Sequence, residues 1–234
     1  MRNRARAVLV LGFASIAAGM SVAQPGRRLP FGPGEELFFN VQSSRFGSIG
    51  KASMRVSADT LRGRAVYLLA FDMSAKVVLF KAADRTRSWV DAADFTTLRY
   101  SKREHSPLMK REEEVQVFPE EHRWETAAGT FLSETHEPLD ELSFLYFIRT
   151  LPLDSGAVYS FDRHFDPARN PVVISVMSRD RGVIAVEMKV KDPRQSSGVS
   201  LIRLSLTDDE YRLPLRMESA MGIGGTMTMT LVRN

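Results

Sequence analysis

The chain has 234 residues, with 32 Lys and Arg against 28 Asp and Glu, four His and no Cys. Absence of cysteine excludes disulfides, thiol nucleophiles and thiolate metal sites, so burial alone must hold the fold. About 200 residues are enough to do that as one domain.

Residues 1–23 read as a cleaved secretory signal peptide. Arg2, Arg4 and Arg6 form a basic start, Ala7 to Gly19 a short apolar run, and Ser21-Val22-Ala23 a small-residue cleavage site. The apolar run is shorter than the ~20 residues of a spanning helix. That argues against an N-terminal anchor, and no Cys follows the cleavage site to carry lipid. Removing three Arg leaves 29 basic against 28 acidic residues. A near-neutral protein gives no reason to expect nucleic acid as a partner. No later apolar stretch is long enough to span a membrane. The expectation is a periplasmic or secreted protein, soluble after cleavage, without a transmembrane anchor.

Residues 24–33, rich in Pro, Gly and Arg, read as a flexible lead-in, and residues 34–234 as a single β-rich domain. Gly34 to Gln42 predicts a strand with Leu37, Phe39 and Val41 on one face. Gly47 to Ser57 alternates Gly50, Ala52, Met54 and Val56 against wetter positions and completes a hairpin. Arg64 to Phe71 is apolar on both faces, as in a strand covered on both sides. Ser74 to Phe80 fits a strand or a helical turn equally well. Asp84 to Val90 and Phe95 to Glu104 flank a turn at Asp91–Asp94. Leu108 to Phe118 follows, its Glu112–Glu114 run opposing Lys102 and Arg103 across a hairpin. Glu121 to Thr126 and Thr130 to Thr135 form a further short pair.

Pro138 to Leu153 is the most apolar run after the leader. Asp140 suits the N-cap, Glu141 and Arg149 complement the helix dipole, and Pro152 ends the segment. Leu142 and Phe144 to Ile148 leave no polar face, so the spacing predicts a buried helix of about three turns over residues 140–150. Phe144 and Phe147 are expected to project from different parts of it and fill different contacts. Six more strands follow: Ala157–Phe165, Pro171–Ser178, Val183–Lys191, Val199–Leu206, Tyr211–Met217 and Thr226–Val232. Turn residues separate several of them, and Gly222 to Gly225 reads as a hairpin turn, not a phosphate loop. The pattern is mainly β, a meander-like antiparallel sheet with one short buried helix.

Chemistry-bearing patterns are sparse. His105, His122, His136 and His164 have no metal-ligand spacing, so no metal and no cofactor are expected. Asp162, His164 and Asp166 in Ser160–Pro167 form the best catalytic-looking set, with Asp162 and His164 as a candidate general-base pair. No Gly-x-Ser-x-Gly nucleophile accompanies them. Met217, Met227 and Met229, with Phe144 and Phe147, are the candidates for lining an apolar ligand site.

GEELFFNVQSSRFGSIGKASMRV resembles the opening of the exported bacterial family known as domain of unknown function 3108. The resemblance extends to DRTRSWVDAADFTTLRYSKRE, through Asp91 and Leu98-Arg99-Tyr100. It is strongest at PLDELSFLYFIRTLPL, through Leu139, Asp140, Ser143, Tyr146 and Arg149. LTDDEYRLPLRMES, with Leu206, Thr207, Asp208, Pro214 and Glu218, is similar to the family's closing strands. What the resemblance implies is a periplasmic or envelope-associated protein without established catalytic residues. It also implies a strongly curved sheet or open half-barrel, wrapped around the helix, as in carriers of lipids and lipoproteins. The leading expectation is therefore a non-enzymatic periplasmic protein that binds a lipid or other apolar ligand in envelope maintenance. The alternative is a structural or assembly protein contacting another envelope protein. A hydrolase using Asp162 and His164 ranks last.

Overall fold

The structure is a computed structural model that describes residues 29–77, 80–106, 109–193, 197–220 and 225–232. The leader assigned to residues 1–23 lies outside the described residues. Among the described residues, fourteen strands form one antiparallel sheet. The first eight are β1 (Glu36–Ser43), β2 (Gly47–Leu61), β3 (Arg64–Val77), β4 (Phe80–Asp91), β5 (Thr97–Ser106), β6 (Met109–Phe118), β7 (Arg123–Thr126) and β8 (Gly129–Leu132). Helix α1 (Glu141–Ile148) then leads to β9 (Val158–Phe161), β10 (Val172–Asp180), β11 (Val183–Lys191), β12 (Val199–Thr207), β13 (Pro214–Ala220) and β14 (Thr226–Leu231).

The strand order explains how the sheet is organised around the helix. Strands β1 to β8 step outward one after another to one edge. The chain crosses through α1 to the opposite edge at β9, steps back to β14, and pairs β14 with β1 in the middle of the sheet. The sheet is not closed between β8 and β9. The crossover partly spans that gap. Thr97 N–H donates to Pro138 O (2.8 Å), Leu139 N–H to Arg163 O (2.6 Å), and Phe165 N–H to Leu139 O (3.0 Å).

Alternation places the core as the spacing predicts. Leu37, Phe39 and Val41 of β1 and Ala52, Met54 and Val56 of β2 are buried and join one cluster with Phe144, Tyr146 and Ile148 of α1. The helix packs on β3 and β4. Burial at about 25 cal/mol per Å² of apolar surface favours this wrapping. A second cluster of Tyr100, Val115, Val117 and Phe165, with Trp124 against it, holds β5 to β7 to the segment after β9.

Several expectations change. The helix has eight residues, about two turns, although tighter bonds from Arg149 N–H to Tyr146 O, Thr150 N–H to Phe147 O and Leu151 N–H to Ile148 O carry the coil on to Pro152. Within the expected flexible lead-in, Leu29 and Phe31 pack on the core, Phe31 edge-on to Tyr146 at 5.0 Å. β3 lies inside the sheet, but Leu68 and Ala70 on its outer face are only half-buried, so that face is not fully covered. The Tyr211 strand starts three residues later, because Asp209 Oδ1 accepts both Tyr211 and Arg212 N–H in a turn. Register sets Lys102 opposite Glu113 and Arg103 opposite Glu112. The ion pairs nevertheless run elsewhere, with Lys102 to Asp84 (3.3 Å), Glu113 to Arg111 and Glu114 to Arg99. Of the Gly222 to Gly225 turn, only Gly225 falls among the described residues, at φ +88°.

Gly50 is required by close approach. A Cβ there would meet Ser74 O of the neighbouring strand at 2.0 Å. Gly50→Ala should cost about 1–3 kcal/mol through overpacking, read as a lower denaturant midpoint. An unchanged midpoint would show that the β2–β3 contact can relax freely.

Candidate functional site

Several of the buried polar groups converge on α1. Asp140 caps the helix with one carboxylate oxygen, which accepts Leu142 N–H (2.8 Å) and Ser143 N–H (3.0 Å). Ser143 Oγ returns the bond by accepting Asp140 N–H (2.8 Å), completing a capping box. The other Asp140 oxygen accepts Ser88 Oγ–H of β4 (2.5 Å) and Thr97 Oγ1–H of β5 (2.8 Å). Burial pushes the Asp140 carboxyl up from its ordinary value, and these hydrogen bonds oppose the shift. The site is a saturated anchor, with every carboxylate lone-pair direction engaged by the protein itself.

Next to it, Glu141 faces His164 and Arg169. Glu141 Oε2 lies 3.7 Å from His164 Nε2, and Arg169 reaches Glu141 Oε1 at 3.1 Å and Asp192 at 3.9 Å. His164 Nδ1 accepts Asp166 N–H (3.1 Å), which turns Nε2 toward Glu141. Burial works against ionised Glu141, but His164 and Arg169 outweigh it and hold its carboxyl well below the usual range. The structure does not bring Asp162 and His164 together. Asp162 is exposed, while His164 is buried against Glu141. Asp166 uses its carboxylate to accept Ala168 N–H in a turn.

At the far end, Arg149 is 2 % exposed. Its guanidinium makes a bidentate pair with Glu35 (2.8 and 2.7 Å) and donates to Pro30 O and Tyr211 O, each at 3.0 Å. Phe31 and Tyr146 lie beneath its charge at 5.1 and 5.5 Å from the ring centroids. Composition showed no sign of this pair. The available signal was that Glu35 and Arg149 both fall in segments that carry the family resemblance, the opening GEEL and the helical YFIR.

The apolar candidates all belong to the core. Phe144 has 0 % exposed surface, so it borders no space wide enough for water. Contrary to expectation, Phe144 and Phe147 meet edge-on at 6.2 Å, since residues three apart share a helix face. Phe147 also meets Phe161 at 5.2 Å. Met217 is buried opposite Met229, and Met227 lies opposite Ser43 and Ser219. Met227 and Met229 are half-buried and pack on the same core.

A separate cavity of about 170 Å³ opens between the turn before β5 and the short turn Pro119–Glu121 after β6. Arg64, Asp94, Thr96 and His136 contribute its polar walls. Thr96 is buried, and its hydroxyl has no partner among the described residues. Nothing in the spacing of Thr96 singled it out. No group of residues suited to hold a metal occurs among the described residues.

The fold and the anchored helix define an open antiparallel half-barrel closed on its own helical plug. The chain belongs to the family described as Protein of unknown function (DUF3108), whose model matches residues 39–232. A solved structure titled as a beta-barrel-like protein of domain of unknown function DUF1849 from Brucella abortus has the same fold. Its TM-score is 0.59 at 11% identity, covering 85% of this chain and 95% of that one. No curated protein matches the chain.

Arg149→Ala should destabilise the fold by about 3–5 kcal/mol, because Glu35 is left charged in the interior. The double change Arg149→Met with Glu35→Leu should recover most of that loss. Urea unfolding of both variants checks this, and equal losses would show that the charge pair is not the cause. Glu141 gives a pH signature. Its folded carboxyl is lowered, so its contribution is present above its unfolded value of 4.5 and is lost as pH falls through the folded value. Glu141→Gln should flatten the acid limb of the melting-temperature profile below pH 4.5. An acid limb as steep as that of the parent protein would contradict the assignment.

Proposed function

We propose that this protein is a non-enzymatic assembly component of the bacterial cell envelope that works in the periplasm and binds another protein along a sheet edge. The location rests on the basic and apolar leader. The non-enzymatic reading is supported by the separation of Asp162 from His164, by the engagement of Asp140 in the protein's own hydrogen bonds and by the ion pair of Glu141 with Arg169.

The observation that carries the binding mode is β8. It is the terminal strand on its side of the sheet, with sequence Gly-Thr-Phe-Leu and no charge. Leu132 is 76 % and Phe131 41 % exposed. Edge strands are ordinarily blunted by shortness, charge, proline or a bulge, because their free backbone groups template further pairing. β8 is short, with four residues, but carries no charge, proline or bulge. Trp124 stacks on Phe131 at 4.4 Å and donates to Leu132 O, giving the hairpin a fixed aromatic face. An extended partner segment adding to β8 gains backbone hydrogen bonds from the edge and side-chain contacts from these residues.

The apolar-ligand reading draws less support. Phe144 and Met217 are already buried by protein, so a lipid would have to displace the packed helix.

In cells, a photo-crosslinking residue at Leu132 should trap one dominant protein, while the same residue at exposed Lys51 on β2 should not. Matching patterns at both positions, or no product from Leu132, would overturn edge binding. Stoichiometric lipid in native mass spectra would favour the carrier reading instead.

A further inference from the structure

We infer that the segment accepted by β8 is an extended cationic strand in which apolar residues alternate with Lys or Arg. This rests on the edge-binding reading above and names the chemistry of its partner.

Register divides the β7–β8 hairpin into two unlike faces. Trp124 lies opposite Phe131 on one, and Arg123 and Glu125 lie opposite Leu132 and Thr130 on the other. On the first face a row of rings runs outward from the interior, from Tyr100 to Phe165 (6.1 Å), then Trp124 (5.3 Å), then Phe131 (4.4 Å). Phe131 ends the row at the sheet edge and is 41 % exposed. An apolar side chain on the same face of an added strand extends the row across the new strand pair.

The second face sets the charge. From Glu120 to Glu137 there are five Glu and one Arg, whereas residues 24–234 as a whole carry 29 basic against 28 acidic residues, so the excess is local. Arg123 is shared between Glu121 and Glu125. Arg64 and Arg163 reach Glu120 and Glu137 from outside, and Arg64 is itself shared with Asp91. Arg62 lies over the Phe118 ring and donates to Leu98 O and Val117 O (2.5 and 2.9 Å). Glu134, just beyond β8, is exposed and has no ion-pair partner among the described residues. The edge therefore keeps a negative excess. Adjacent strands lie about 4.8 Å apart, so an added backbone runs about 10 Å from that of β7, within the joint reach of a glutamate and a long cation. A Lys or Arg beside Thr130 can meet Glu125 while its stem covers Leu132. A second copy of β8 fits poorly, because pairing two such edges sets Glu125 and Glu134 against their own counterparts.

The test is fluorescence anisotropy of labelled seven-residue peptides titrated with the purified protein. Probes are the alternating cationic TKVKFKT, its acidic and neutral counterparts TEVEFET and TSVSFST, and KKTVFTK, which has the same composition without the alternation. TKVKFKT should saturate and bind about tenfold tighter than TEVEFET, a difference that shrinks as salt is raised. Methylating its backbone nitrogens at alternate residues should abolish binding, because edge pairing needs them. Glu125→Gln with Glu134→Gln should bring the cationic and acidic peptides to within about threefold of each other. Equal binding of TEVEFET or TSVSFST, still lost on methylation, overturns the charge assignment and leaves β8 as a docking edge. Equal binding of KKTVFTK, or binding that survives methylation, overturns it too, since charge alone is then the cause. Absence of binding by every peptide also overturns it, and the Leu132 crosslink then judges the edge by itself. A dimer seen in sedimentation and lost on Leu132→Glu makes a second copy the occupant and overturns it likewise.

Discussion

The Arg149–Glu35 pair is the interaction on which the rest of the structure depends. A guanidinium inside an apolar core is strongly unfavourable unless paired and hydrogen-bonded. Here its partners come from two distant parts of the chain: Pro30 and Glu35 just before β1, and Tyr211 between β12 and β13. The charge therefore favours one arrangement, with the helix end, the first strand and the β12–β13 turn at one point. Hydrophobic packing alone is non-directional and would allow the plug to slide. The polar pair sets its position.

The opposite end of the helix is held by the same logic. Asp140 takes hydrogen bonds from β4 and β5 as well as from its own helix, and Glu141 reaches His164 and Arg169 beyond β9. Both ends of α1 are thus tied to the two arms of an unclosed sheet. This explains how the fold tolerates a gap between β8 and β9. Closure through strand pairing is replaced by closure through the crossover and its polar anchors.

That arrangement bears on function. The interior is filled by its own helix, and β8, with its bare apolar strand, and the cavity lined by Pro119 and Glu120 lie outside that core. These lie close in the chain, since His122 joins the base of the β7–β8 hairpin through Ser133 N–H and also touches His136 of the cavity wall.

Much of the architecture was legible in the residues themselves. Period-two alternation in Leu37, Phe39 and Val41, the absence of a polar face in Phe144 to Ile148, and Asp140 before Glu141 determine strands, helix and cap through local rules. Local rules also explain the errors. Phe31 lies in a Pro- and Gly-rich stretch that looks like a linker, and its burial depends on a ring of α1 more than a hundred residues away. His164 shares a two-residue spacing with Asp162 and Asp166, but it faces Glu141, brought near by the Leu139 contact with residues 163 and 165. Thr96 is an unremarkable residue until β5 and the Pro119 turn enclose it. By itself, then, the sequence determined the elements, the β class and the buried helix, because periodicity and capping act within a few residues. Only the tertiary structure decided which charges pair, which edge stays bare and where a cavity remains, because those depend on groups far apart in the chain meeting in space.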